Sequence, residues 1–156
     1  MNIENSSLVP AFVMFQAGHR RIAFPRECVR ELIASPSLFW FPHTTPSIAG
    51  VVLRRGRILP VLNLEPGVAC TPALQARFFL VVERNISGSL ERCAIPIEGE
   101  CELVTGILIP AEGEGGIAIG CLDLDGEQIE VLDLEKAIAT GSAGQEASNP
   151  LEEAIP

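Results

Sequence analysis

The sequence predicts a mostly β protein of two similar small lobes with short helices, and three observations carry that prediction. Apolar runs such as Ala11–Gln16, Phe78–Glu83 and Ile117–Leu122 are short and rich in Val, Ile and Phe. Gly and Pro punctuate them about every ten residues, which suits the strands of a barrel or sandwich. Helical periodicity is confined to Arg26–Ile33 and Leu134–Ala139, each sufficient only for a short helix or turn. The third observation is an internal repeat.

Shifting the chain by 70 residues lays "IAGVVLRRGRILPVLNLE" (Ile48–Glu65) on "AIGCLDLDGEQIEVLDLE" (Ala118–Glu135). Gly50 meets Gly120 and Gly56 meets Gly126, and Val61, Leu62, Leu64 and Glu65 meet identical residues. At a shift of 71, "AFPRECVREL" (Ala23–Leu32) falls on "AIPIEGECEL" (Ala94–Leu103). One such match between apolar strands is common by chance. Two in the same order at nearly one shift indicate a duplicated unit, with lobes expected at about 8–70 and 78–139.

Taken in order, Ala11–Gln16 reads as a strand ending at a turn beside Gly18 and His19. The Pro-rich connection that follows carries "LFWFP" (Leu38–Pro42), expected to fold its rings over a barrel mouth, with a partner-binding aromatic patch as the alternative. Ile48–Leu53 and Ile58–Leu64 are two apolar strands enclosing Arg54, Arg55, Gly56 and Arg57. The repeat copy has Asp125-Gly126 at this point, a strong hairpin signal, so the arginines are placed on a hairpin tip. Gly56 supplies the positive φ such a turn needs. Phe78–Glu83 opens the second half, and Glu98, Glu100 and Glu102 alternate along a further expected strand with a solvated edge. From Thr140 onward the chain is small, polar and acidic, so residues 140–156 are expected to be a disordered tail after a single domain spanning 1–139.

The chain has 156 residues, 47% of them hydrophobic, with a net charge of −9. It can bury a core, and its charge argues against general nucleic-acid binding. Seven arginines stand against three glutamates in 8–70, a net of +4, and three basic residues against thirteen acidic ones in 78–139, a net of −10. A molecule polarised in this way can associate head to tail. Met1–Ser7 shows no basic secretory start and no long apolar span follows, so a soluble cytoplasmic protein is expected. The five cysteines, at 28, 70, 93, 101 and 121, include no close pair and read as buried reduced thiols.

Catalytic and cofactor signals are weak. GxSxG, HExxH, P-loop and SxxK patterns are all missing, and His19 and His43 stand alone in loops. "GEGGIA" (Gly113–Ala118) is followed by a strand-like run rather than a helix, against a dinucleotide loop. "DLDGE" fails the calcium-loop spacing because its twelfth position is Leu134. No enzyme activity, cofactor or metal is therefore expected.

The hairpin residues Gly50-Val51-Val52-Leu53-Arg54-Arg55-Gly56-Arg57-Ile58-Leu59-Pro60-Val61-Leu62-Asn63-Leu64 resemble a family pattern. That pattern reads roughly Gly-Val-Ile-Asn-Leu-Arg-Gly-x-Ile-x-Pro-Val-Ile-Asp-Leu, and belongs to the CheW-like chemotaxis coupling (adaptor) proteins. "RRIAFPRECVRELI", "FPHTTPSIAG" and "LDGEQIEVLDLEKAI" also resemble family segments, so the likeness spans about residues 10–139. It implies two similar five-stranded SH3-like barrels and a non-catalytic scaffold. The implied partners are the cytoplasmic tip of chemoreceptors and the regulatory domain of a CheA-type histidine kinase. Carried over by position, Arg55 and Gly56 match the Arg-Gly pair, and Val29 and Glu31 match a Val-x-Glu segment near the partner surface. With Arg54 and Arg57 on the same tip, these six residues are the expected partner-binding set. Leu53 stands where the family has Asn, Arg54 where it has an apolar residue, and Asn63 where it has Asp. These departures mark a divergent member, expected to serve a pilus-motility pathway rather than a flagellar one. The alternative reading is a β-barrel module that binds a small ligand or peptide and has no kinase partner.

Overall fold

A computed structural model describes residues 9–34, 37–39, 48–65, 68, 76–113 and 116–138. Twelve strands lie in these residues: β1 (Ala11–Ala17), β2 (Arg20–Pro25), β3 (Val29–Ala34), β4 (Leu38–Phe39), β5 (Ile48–Arg54), β6 (Arg57–Leu62), β7 (Phe78–Ile86), β8 (Ser89–Ile97), β9 (Glu102–Thr105), β10 (Ile109–Pro110), β11 (Ala118–Leu124) and β12 (Glu127–Leu132). A four-residue helix, α1 (Leu134–Ala137), follows, with the Asp133 carboxylate accepting from the Glu135 and Lys136 amides. The short helix or turn expected over Arg26–Ile33 is a 3-10 turn confined to Arg26–Cys28, since the β-branched Val29 and Ile33 are taken into β3.

The strands form two six-stranded sheets, ordered β3-β7-β8-β6-β5-β4 and β10-β11-β12-β2-β1-β9. Each is five longer strands plus a two-residue edge strand, β4 or β10, so six strands stand where five were implied. The sheets do not follow the repeat halves 8–70 and 78–139. Hairpin β1–β2, from the first half, joins the strands of the second half. Hairpin β7–β8, from the second half, joins those of the first. The exchange is sealed by two equivalent parallel contacts, Val61 opposite Ala94 and Val131 opposite Ala23.

This exchange explains two kinds of strand in the sequence. The hairpin strands are buried on both faces, so β1 and β7 read as nearly unbroken apolar runs. On one face, Phe79, Val81 and Ala94 pack with Val52, Leu59, Val61 and Ile33 inside the first barrel. Their repeat counterparts Phe12, Met14 and Ala23 pack with Leu122, Ile129 and Val131 inside the second. On the other face, Val13, Phe15, Ile22, Phe24, Leu80, Val82, Cys93 and Ile95 meet in a central core between the barrels. Phe15 and Phe24 pack there in a tilted pair with ring centroids 5.4 Å apart. Strands β5, β6, β11 and β12 are buried on one face and alternate accordingly.

The expected strand through Glu98, Glu100 and Glu102 begins only at Glu102. Glu98 lies in the preceding bend and accepts from the Gly18 amide at 3.2 Å. Four cysteines are free thiols, but only Cys93 is fully buried, and desolvation pushes it up to about 11. Cys28, Cys101 and Cys121 are half-buried, a correction to the expectation that all lie in the core. Of "LFWFP", Leu38 packs on the first barrel while Phe39 is exposed, and residues 40–42 lie outside the described residues. Cys70 and the tail expected at 140–156 also lie outside them.

Candidate docking site at a hairpin tip

The hairpin β5–β6 turns through Arg55 and Gly56, both at positive φ, 55° and 79°. Two left-handed residues in succession define the turn that matches strand twist, and Asn, Asp or Gly normally fill it. The twin tip obeys this with Asp125 and Gly126, at 54° and 88°. Arg55 does not, and a non-glycine residue here carries a backbone cost of about 1–2 kcal/mol. The sequence reading assigned the positive φ to Gly56 alone. The structure adds Arg55.

A second local feature is missing at this tip. In the twin, the Asp123 carboxylate accepts from the Gly126 amide at 3.0 Å, and in the β7–β8 turn Asn85 accepts from Gly88 at 2.9 Å. The corresponding residue is Leu53, which has no oxygen to offer. Leu53 and its cross-strand partner Ile58 are instead 52% and 67% exposed, making an apolar pair on the outer face. Arg55 sits in the turn beside that pair, while Arg57, opposite Arg54, falls on the other face of the ribbon; both are exposed, and their side chains make no hydrogen bond or ion pair among the described residues.

Arg54 has a different task. By strand alternation it falls on the inward side with Val52, at the mouth of the barrel. Glu31 falls on the inward side of β3, opposite Val81, at the same mouth. The two meet in a two-pronged ion pair, with Arg54 Nη2 to Glu31 Oε1 at 2.7 Å and Nε to Oε2 at 3.2 Å. In a flat sheet, β3 and β5 would be roughly 19 Å apart, four strand spacings. The pair therefore bridges the seam where the sheet curls round on itself. The hydrogen bonds from Arg54 hold the Glu31 carboxyl below the usual range, aided by the positive field of Arg55 and Arg92. In the twin barrel Leu124 takes the place of Arg54 and packs on the core there.

Of the six expected site residues, Arg55, Gly56 and Arg57 share the exposed tip. Arg54 and Glu31 form a brace behind it. Val29 lies on the opposite face of β3 and packs against the central core, so it does not join them. Leu53 and Ile58 were missed, although the period-two alternation with buried Val52 and Leu59 signals their outward direction. Among the described residues, Val52, Phe79, Leu122 and Ile129 fill the barrel interiors at no more than 1% exposure. Two overlapping clefts on the second lobe are surface features edged by Arg20, Glu112 and Glu130. Among the described residues no helix is long and apolar enough to cross a membrane, and no acid, histidine and cysteine group is arranged to hold a metal.

Comparison with known proteins agrees with this architecture. The chain matches the CheW-like domain over residues 11–141. The crystal structure of the scaffolding protein TtCheW from Thermoanaerobacter tengcongensis superposes with a TM-score of 0.61 at 18% identity, covering 80% of this chain and 89% of that one. No curated protein shows significant similarity. With two exchanged barrels and a family match across nearly all of the described residues, the chain belongs to the CheW-like domain family.

Proposed function

We propose that the protein is a non-catalytic cytoplasmic adaptor that couples chemoreceptors to a CheA-type histidine kinase, in chemotaxis or pilus-motility signalling. One observation carries the reading: a CheW-like domain gathers exposed cations and an exposed apolar pair, Leu53 and Ile58, on a single hairpin tip. An apolar centre with arginine at its rim is the composition of a protein-docking surface. Arg55 supports the assignment further, because it occupies a backbone conformation that Asn or Gly would adopt at less cost. Receptor state would reach the kinase as a shift in its equilibrium through differential contacts with this adaptor.

The test is binding of the full chain to the isolated regulatory domain of the cognate kinase and to a peptide bundle of the receptor tip. Binding to either at moderate salt supports the reading. Binding to neither, at low or moderate salt, would sink it. Arg55→Ala is expected to weaken the complex about tenfold and leave Tm unchanged, since Ala shares the backbone cost of Arg at this position. Equal loss of both would make Arg55 structural.

A further inference from the structure

The two hairpin tips have the same backbone and opposite chemistry. Their registers coincide residue for residue: Leu53 opposite Ile58 and Arg54 opposite Arg57, against Asp123 opposite Gln128 and Leu124 opposite Glu127. Both carry the same irregularity at the base, between Ile48 and Gly50 and between Ala118 and Gly120. Both turn through two positive-φ residues. On these matching scaffolds, apolar Leu53 and Ile58 become Asp123 and Gln128, while Arg55 and Arg57 become Asp125 and Glu127. All eight side chains are exposed. Burial therefore does not dictate which residue stands at any of these positions.

The surroundings follow the same division. With the hairpins assigned to the barrels they occupy, the first barrel (26–65 and 76–97) has eight arginines and five glutamates. The second (9–25 and 98–138) has three basic and eleven acidic residues. A pseudo-symmetric molecule offers a partner two surfaces of one shape. Shape alone would then let the partner dock at either barrel, and only chemistry can refuse one of them.

Resting on the adaptor reading, we infer that these four pairs of tip positions decide which barrel the partner engages. The partner surface for the β5–β6 tip joins an apolar patch to acidic groups that reach round the end of the hairpin, so that it accepts Leu53, Ile58 and Arg55 on one side and Arg57 on the other. The same surface is repelled by Asp123, Asp125 and Glu127, where like charges meet and no apolar residue is offered. Like-charge juxtaposition across an interface is costly enough to exclude the second mode.

The test uses the full chain and the kinase regulatory domain in a calorimetric titration. Arg55→Glu/Arg57→Glu is expected to weaken binding at least about tenfold with only a small loss of Tm, as neither side chain has a bonded partner and Arg55 reaches Glu31 only through its field. The tip is then rebuilt on the other barrel by Asp123→Leu/Asp125→Arg/Glu127→Arg/Gln128→Ile. In the wild-type background this variant is expected to raise the stoichiometry from one to two. In the Arg55→Glu/Arg57→Glu background it is expected to recover most of the lost affinity. Asp125→Arg/Glu127→Arg alone is the lighter version if the fourfold change melts early. It should recover part of the affinity. Tip-inverted protein that binds within about twofold of wild type overturns the inference and leaves the adaptor reading standing. Folded rebuilt variants that neither add a site nor recover affinity overturn it as well. Failure of the wild-type chain to bind removes the adaptor reading, and the inference with it.

Discussion

The two barrels differ least where they are buried and most where they meet water. Their interiors align position by position: Phe79 with Phe12, Ala94 with Ala23, Val61 with Val131, Leu59 with Ile129. Their tips align just as well in backbone and share no side chain beyond the glycine. Packing tolerates only swaps that keep volume, so the duplicated cores stay alike. An exposed turn imposes a backbone conformation and, in the twin, only solvent-exposed contacts of Asp123 with the Gly126 amide and of Glu127 with Arg21, so most of its chemistry is free to answer to a partner. The contrast separates what the fold requires from what it merely permits.

The largest effect is expected where the two barrels share a requirement. At the base of each tip a glycine lets the edge strand approach. A methyl group at Gly50 would sit 2.6 Å from the Phe39 carbonyl oxygen, and one at Gly120 would collide with the Ile109 carbonyl oxygen and the Leu108 side chain. Gly50→Ala and Gly120→Ala should each cost about 2–4 kcal/mol in urea unfolding, because backbone atoms cannot move aside. If one is neutral, the equivalence of the two edge strands breaks.

The next effect separates the tips. Arg55→Asn replaces an ill-suited left-handed residue by one that tolerates the conformation. It should raise stability by about 1 kcal/mol while weakening partner binding. Asp125→Asn at the twin position should change stability by no more than about 0.5 kcal/mol, as Asp already suits the turn. A loss of stability in Arg55→Asn would show that the arginine braces the fold through contacts with a partnerless surface, and would remove the strain argument.

Much of this was legible in the sequence, and the rest was hidden for identifiable reasons. Gly50 and Gly120, the Asp-Gly turn and the alternation of Val52 with Leu53 are local signals, and they placed both hairpins correctly. The exchange of β1–β2 and β7–β8 was not legible. A repeat shows which segments are alike, whereas the parallel pairing of Val61 with Ala94 joins residues far apart in sequence, which no local period encodes. The division of labour between Arg54 and Arg55 depends on Glu31 arriving across the seam, which again only closure of the sheet provides. The repeat shifts did contain an unread clue. Phe12 opposite Pro25 corresponds to Phe79 opposite Pro96, a shift of 67 before the turn against 71 after it. Four extra residues lengthen β7–β8 by two pairs and project Ile86 and Leu90 into solvent.

That overhang gives a smaller effect. Joining Arg84 to Ser87 and Gly88 to Glu91, with the four intervening residues removed, restores the length of β1–β2. The overhang contributes exposed hydrogen bonds, from the Asn85 amide to Glu135 at 3.2 Å and from the Gly88 amide to the Asn85 side chain at 2.9 Å, and no core side chain. Trimming should therefore lower stability by no more than about 1 kcal/mol. A collapse of the fold would mean that the longer ribbon anchors the lobe and that the two hairpins are not equivalent.

The smallest effect is confined to acid and distinguishes the two seams. The Glu31 carboxyl is held below its usual range by hydrogen bonds from Arg54. A depressed folded value contributes stability above the unfolded value and loses it as pH falls through the folded one. Glu31→Gln should thus lower Tm near neutral pH by no more than about 5 °C, since the pair is partly solvated. The gap between variant and wild type should close as pH drops below about 4, the ordinary carboxylate range. At the equivalent position of the second barrel, Glu102 is exposed, and the place of Arg54 is taken by Leu124. Glu102→Gln should accordingly show neither the loss near neutral pH nor its disappearance in acid. A gap for Glu31→Gln that persists unchanged to pH 3 would assign its effect to packing at the barrel mouth. The first seam would then be closed by shape, as the second is, and the ion pair would be incidental to it.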